Sequence, residues 1–174
     1  MGPDSAQSRR WGAVTVVAVA CHAVLQAWLV VAALSPGLLA SVPEPLAWIA
    51  RPGSVGAMTV VLGVGALAFG LVVATRWKAS ARVPFLLSAW SAGTAVPLAV
   101  AAYLPCTGDG PPLWDALSNA FALFLGSFEQ PFGPGQACAY PTPLALQVAR
   151  LLAILATLSG ATSVLFSVSR SQLD

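Results

Sequence analysis

Ser54 to Thr75 reads SVGAMTVVLGVGALAFGLVVAT, 22 residues without a charged side chain. As a helix rising about 1.5 Å per residue it is about 33 Å long, enough to cross the roughly 30 Å hydrocarbon layer of a bilayer. Three more runs of this kind flank it: Trp11–Leu34, Val83–Leu104 and Leu144–Val168. In lipid an isolated strand would leave its backbone N–H and C=O groups unpaired, so each run is read as a helix. The expected fold is an all-α integral membrane protein with four transmembrane helices in a single domain, residues 1–174.

Composition agrees. Hydrophobic residues make up 57% of the chain and charged residues 8%, with a mean hydropathy of +0.81. A soluble domain carries about a quarter charged residues, so this chain lacks the groups to cover a surface facing water. The lipid bilayer is therefore its expected surrounding. No basic patch with interleaved aromatics is present, which excludes nucleic acid as a partner on composition. Lys78 is the sole lysine, and the abundance of Ala, Val, Leu, Gly and Pro points to a bacterial gene of high GC content.

Charge sets the orientation. Arg9 and Arg10 precede the first run, Arg76, Lys78 and Arg82 lie between the second and third, and Arg170 follows the fourth. Arg51, Glu44, Asp109, Asp115 and Glu129 fall on the other side. The positive-inside rule then places both termini in the cytoplasm, in a multi-pass protein of the cell membrane. Trp11 and Trp77 fall at the inner interface and Trp28, Trp48 and Trp114 near the outer one, as an aromatic belt requires. Ala18-Val19-Ala20-Cys21 is a poor lipobox, and the apolar run continues to Leu34, beyond the length of a signal core.

The loop 105–143 holds the unusual sequence. Cys106 and Cys138 lie on the oxidising side, where disulfides persist, and closing about 33 residues would stabilise the fold by about 3–4 kcal/mol. A structural bridge is expected. A redox pair would want closely spaced, low-pKa thiols, which this chain lacks. Between the cysteines, Leu113, Leu117, Phe121, Phe124, Leu125 and Phe128 recur at helical spacing and predict an amphipathic helix over 113–128. Asp115, Ser118, Asn119 and Ala122 occupy the rest of its surface. Such a helix is either re-entrant, as in a pore loop, or interfacial on the outer leaflet, and the residues favour the second. A Thr-Val-Gly-Tyr-Gly-like potassium filter is missing: Gly126-Ser127-Phe128-Glu129-Gln130-Pro131 bears no likeness to it.

Within the spans, Arg150 stands out. It lies about 9 Å inside the fourth run, with Gln147 three residues earlier on the same expected face. An ionisable residue at membrane depth normally faces the bundle interior with a partner, and Glu129 or Asp115 is expected to be that partner, the alternative being a side chain that snorkels outward. Asp115, Asn119, Glu129, Gln147 and Arg150 are thus the candidate pore-side or gating residues. His22 and Gln26, four apart on one face, read as buried packing residues, and no second His, Cys or acid joins them at metal-ligand spacing. Gly56, Gly63, Gly65 and Gly70, with Ala89-x-x-x-Gly93, provide small residues for close helix packing, and Pro97 should kink the third run. A compact bundle is expected, assembling as a homo-oligomer. No metal, no cofactor within the chain and no enzymatic activity are expected, because no nucleophile–base pair, metal cluster or dithiol is in view.

Leu113-Trp114-Asp115-Ala116-Leu117, the run LALQVARLLA at 144–153, and FSVSRSQLD at 166–174 together resemble one family. They are similar to the N-terminal membrane region of bacterial TrkA-type (RCK-like) NAD-binding proteins, relatives of potassium-channel regulators. The resemblance covers about residues 113–174; the earlier spans match in number and hydropathy. It implies a channel-like membrane layout and matches Gln147 and Arg150 to the family's last-span signature. It puts Gln172 and Leu173 at a junction with a cytoplasmic nucleotide-binding domain or subunit, which would follow Asp174. This chain itself contains no Gly-x-Gly-x-x-Gly, so NAD would bind outside it. The expected function is the membrane domain of a channel-like or ion-transport-associated protein, potassium being the candidate ion. The alternative is a non-conducting membrane anchor or assembly scaffold.

Overall fold

In the computed structural model, residues 3–51, 53–76, 83–106, 112–126, 132 and 142–171 are described. Trp77, Lys78, Arg82, Asp109, Phe128, Glu129, Cys138, Gln172 and Leu173 lie outside them. Among the described residues the regular elements are all helical: α1 (Pro3–Leu34), α2 (Glu44–Ile49), α3 (Val55–Arg76), α4 (Val83–Tyr103), α5 (Pro112–Ala122) and α6 (Leu144–Ser171), with short 3₁₀ turns at Pro36–Ala40, Leu104–Cys106 and Leu123–Leu125. The stretches Arg10–Leu34, Val55–Thr75, Val83–Cys106 and Leu144–Ser169 are long and apolar enough to cross a membrane. This is a multi-pass membrane protein.

Local chemistry sets the ends. Ser54 starts α3, its hydroxyl accepting the Ala57 N–H at 3.3 Å, as an N-cap does. α4 runs on through Pro97 as one helix. Pro36, Pro43 and Pro45 break the connection after α1 into a 3₁₀ turn and the short α2, neither of which hydropathy foretold. The helix expected over 113–128 is shorter. Its α-helical part stops at Ala122, and after one 3₁₀ turn Gly126 takes φ +76°, a left-handed conformation that suits glycine at a helix end.

α4 is the hub. It packs most extensively on α6, then on α5 and α1, while α3 packs on α1 and touches α4 and α6 only marginally. Two sub-bundles result: the pair α1–α3 and the unit α4–α5–α6. Ala95, Ala99 and Ala102 of α4 and Ala145, Ala149, Ala153 and Ala156 of α6 are buried. Small residues like these let two backbones come close, where packing replaces the hydrophobic drive that lipid does not provide. The expected glycine contacts are only partly realised. A Cβ on Gly65 would meet the His22 ring at 2.6 Å, whereas Gly63, Gly70 and Gly93 have nothing within 4 Å.

Burial is uneven along the spans. It gathers at the end where α1 finishes and α6 begins, the loop end: Leu29, Ala32, Ala57, Met58, Val61 and Leu98–Leu104 are all buried. At the opposite end, near both termini, Val16, Val17, Phe85, Val164, Leu165 and Phe166 are exposed to the surroundings. Lipid is the solvent that suits those side chains.

Candidate functional site

Two polar clusters interrupt this apolar frame. The first lies under the loop. Arg150, in the second turn of α6, is half-buried, and its guanidinium lies beside the Tyr103 side chain at the end of α4. The Tyr103 hydroxyl is placed there because the alanine seam brings α4 and α6 together at this depth. Phe132 lies against the other part of the Tyr103 ring, centroids 6.3 Å apart, and both are buried. Arg150, Tyr103 and Phe132 thus join α4, α6 and the long loop. This corrects the expected pairing in part. Asp115 is exposed on α5 and makes no ion pair among the described residues, and Glu129 lies outside them. Gln147 is exposed as well, its amide donating to the Thr142 carbonyl at 3.4 Å, so it does not share Arg150's surroundings.

α5 presents three strips rather than two. Ala116, Ala120 and Leu123 are buried toward the bundle, with Leu117 and Phe124 beside them at the edge. Trp114, Phe121 and Leu125 form a second, apolar strip that is 72%, 58% and 87% exposed. Asp115, Ser118 and Asn119 make a third, polar and exposed strip. The predicted apolar face is therefore only half used for packing, because alanines, not the large side chains, allow α5 to lie close on α4. Phe128 lies outside the described residues.

Of the three cysteines, Cys21 is free and exposed on α1. Cys106 has a bonding partner, its sulfur also sitting 3.8 Å from the Ala102 carbonyl oxygen. Cys138, the expected partner, lies outside the described residues.

The second cluster sits halfway along the spans. His22 and Gln26 are buried on one face of α1, as their spacing implied. The Gln26 amide nitrogen is 2.6 Å from His22 Nε2, so it donates to that nitrogen in the arrangement seen. The same Nε2 lies 3.2 Å from Thr94 Oγ1 on α4, and the Thr94 hydroxyl reaches the Trp90 carbonyl at 2.9 Å. With Nε2 accepting, the imidazole proton is assigned to Nδ1, which is buried with no hydrogen-bond partner beside the backbone of α3. The ring stacks on Trp90 at 4.8 Å and 17°. Among the described residues no group of three or more His, Cys, Asp or Glu could hold a metal ion.

Sequence reasoning missed Tyr103, Thr94 and Trp90. A tyrosine in the last turn of a span, level with the depth of Arg150, was the available signal for the first. For the other two, the signal was a tryptophan placed mid-span rather than at an interface. Comparison with protein-family models, with curated proteins and with solved structures gave no match.

Proposed function

We propose that the chain is the membrane domain of a channel-like or ion-transport-associated protein, with both termini in the cytoplasm, working as a homo-oligomer coupled to a cytoplasmic regulatory domain. The observation that carries this reading is the α4–α5–α6 unit, two closely packed spans with a short helix seated on α4 near the loop end. That helix turns Asp115, Ser118 and Asn119 away from its own bundle, and Gln147 is exposed at the start of α6. Around a rotation axis these four side chains form the polar ring that a cation route needs. Arg150, tied to Tyr103, is an anchor that fixes the loop rather than a group in the path. A Cys106–Cys138 bridge closes the loop above it. The resemblance of residues 113–174 to TrkA-type membrane regions supports the same reading, potassium being the ion it favours.

A second reading rests on a specific observation. Trp114, Phe121 and Leu125 form an exposed apolar strip, the kind that an interfacial helix sets into the outer leaflet. With α5 lying on lipid, the domain is a non-conducting anchor or assembly scaffold. Flux of a potassium analogue into liposomes holding the purified, oxidised protein separates the two, with Asn119→Ala, Arg150→Ala and Cys106→Ser measured alongside. Flux that Asn119→Ala changes supports the pore. Absence of flux from folded, inserted protein supports the anchor.

A further inference from the structure

We infer that Trp90 and His22 form a bolt at mid-depth that couples the α1–α3 pair to the α4–α5–α6 unit, on the terminus side of the buried loop-end core that the two share. The packing leaves few alternatives. α3 meets α4 and α6 only marginally, so the broad connection between the sub-bundles is the seam of α1 on α4. Trp90 of α4 reaches across that seam to both members of the pair. Its ring stacks on His22 of α1 at 4.8 Å and meets Phe69 of α3 at 6.0 Å, tilted by 42°.

The polar groups lock the key in place. His22 Nε2 faces Thr94 one turn along α4 from Trp90, and Gln26 holds the imidazole from within α1. Gly65 provides the space: any Cβ there would meet His22 Cε1 at 2.6 Å and Nδ1 at 3.1 Å, pushing the ring off α3 toward Trp90. The cluster thus needs all three helices in one register. Elsewhere along the α1 and α4 spans toward the termini, exposed Val14, Val16, Val17 and Phe85 provide no comparable contact. A shift of α1–α3 against α4–α6 at this depth has to separate His22 from Thr94 and unstack Trp90, which makes the cluster the coupling point on the terminus side of the loop-end core.

The test measures the two sub-bundles separately, in the full chain reconstituted in bilayers. One spin label goes on the native, exposed Cys21 of α1 and a second on Leu151→Cys of α6. The control pair, Phe85→Cys and Leu151→Cys in a Cys21→Ser background, reports on the α4–α6 unit alone. Thr94→Val, Gly65→Ala and His22→Phe are each introduced, the first keeping its shape and so safeguarding folding. The expected result is a broadened or shifted distance between sub-bundles with the control distance unchanged. No change in either distance overturns the proposal, and so does an equal change in both, which would mean general packing. In addition, His22→Leu and Trp90→Leu should be coupled by about threefold in the unfolding equilibrium, within the range for a stacked aromatic pair. Independent effects of the two would also overturn it.

Discussion

The loop end and the terminus end of the same four spans are built from similar residues and packed very differently. At the loop end, α4 and the turn after it are buried on nearly every side from Leu98 to Leu104, and α5 covers part of α4. At the terminus end, α6 from Ala161 to Ser169 presents exposed or half-buried side chains throughout. Hydropathy is high in both halves, so it does not set the contrast. Side-chain size does: Ala145, Ala149 and Ala153 line the packed half of α6, while Val164, Leu165, Phe166 and Val168 occupy the open half. In lipid a large apolar residue gains nothing by leaving the surface, whereas a small one lets backbones approach and makes dispersion contacts.

The most direct way to break this contrast is to enlarge a seam alanine. Ala149 is fully buried, so Ala149→Leu forces α6 from α4 and should destabilise the domain by about 3 kcal/mol, the upper part of the range for overpacking. Leu158→Ala, on the exposed face of the same helix, should change stability by less than about 0.5 kcal/mol. Unfolding by denaturing detergent, followed by circular dichroism, compares the two. Equal effects would mean that α4 and α6 are not held by their alanines.

A smaller effect is expected where Arg150 meets Tyr103. Tyr103→Phe keeps the ring against Phe132 and removes only the hydroxyl that lies near the guanidinium. The expected cost is about 1 kcal/mol, typical of a single intramolecular polar contact. Arg150→Met should restore part of the loss in the Tyr103→Phe background. Proteolysis of the loop in sealed vesicles should accelerate in Tyr103→Phe, because Tyr103 sits between Arg150 and Phe132 of the loop. Unchanged proteolysis would make the pair irrelevant to the loop.

The contrast between the two ends also explains what sequence could and could not reveal. The spans were legible because a run such as Ser54–Thr75 has one physical interpretation in a bilayer. Arg150 was legible for the same reason, since charge at that depth requires a partner. Tyr103 beside it was not, because it meets Arg150 only in the register that the alanine seam imposes. Hydropathy does not distinguish Ala149 in a seam from Ala161 on a surface. For α5, periodicity located the apolar strips but assigned packing to the large residues, whereas Ala116 and Ala120 carry it. His22 and Gln26 were placed on one face by spacing alone. Trp90, the residue that gives that face its meaning, belongs to another helix, and no local pattern links them. Glu129 and Cys138 remain expectations because they lie outside the described residues.

The smallest effect concerns the place where the packed half gives way to the open one. Ser88 of α4 donates to the Ala156 carbonyl of α6 at 2.8 Å, and a Cβ on Gly160 would lie 3.0 Å from the same hydroxyl oxygen. Removing the hydroxyl in Ser88→Ala should cost about 0.6 kcal/mol, the average for a polar contact between membrane helices. Gly160→Ala alone should do little net, because the gain in helix propensity, up to about 1 kcal/mol, is offset by displacing the Ser88 side chain. In the Ser88→Ala background that conflict is gone, so the same substitution should become stabilising. Hydrogen exchange along α6 reads the outcome locally. Ser88→Ala should speed exchange from Ala156 toward Ser171 and leave Leu144 to Ala153 unchanged, moving the boundary of the packed half rather than loosening the whole. If exchange rises evenly along α6, the two ends are one cooperative unit, and the contrast between them describes packing alone and not stability.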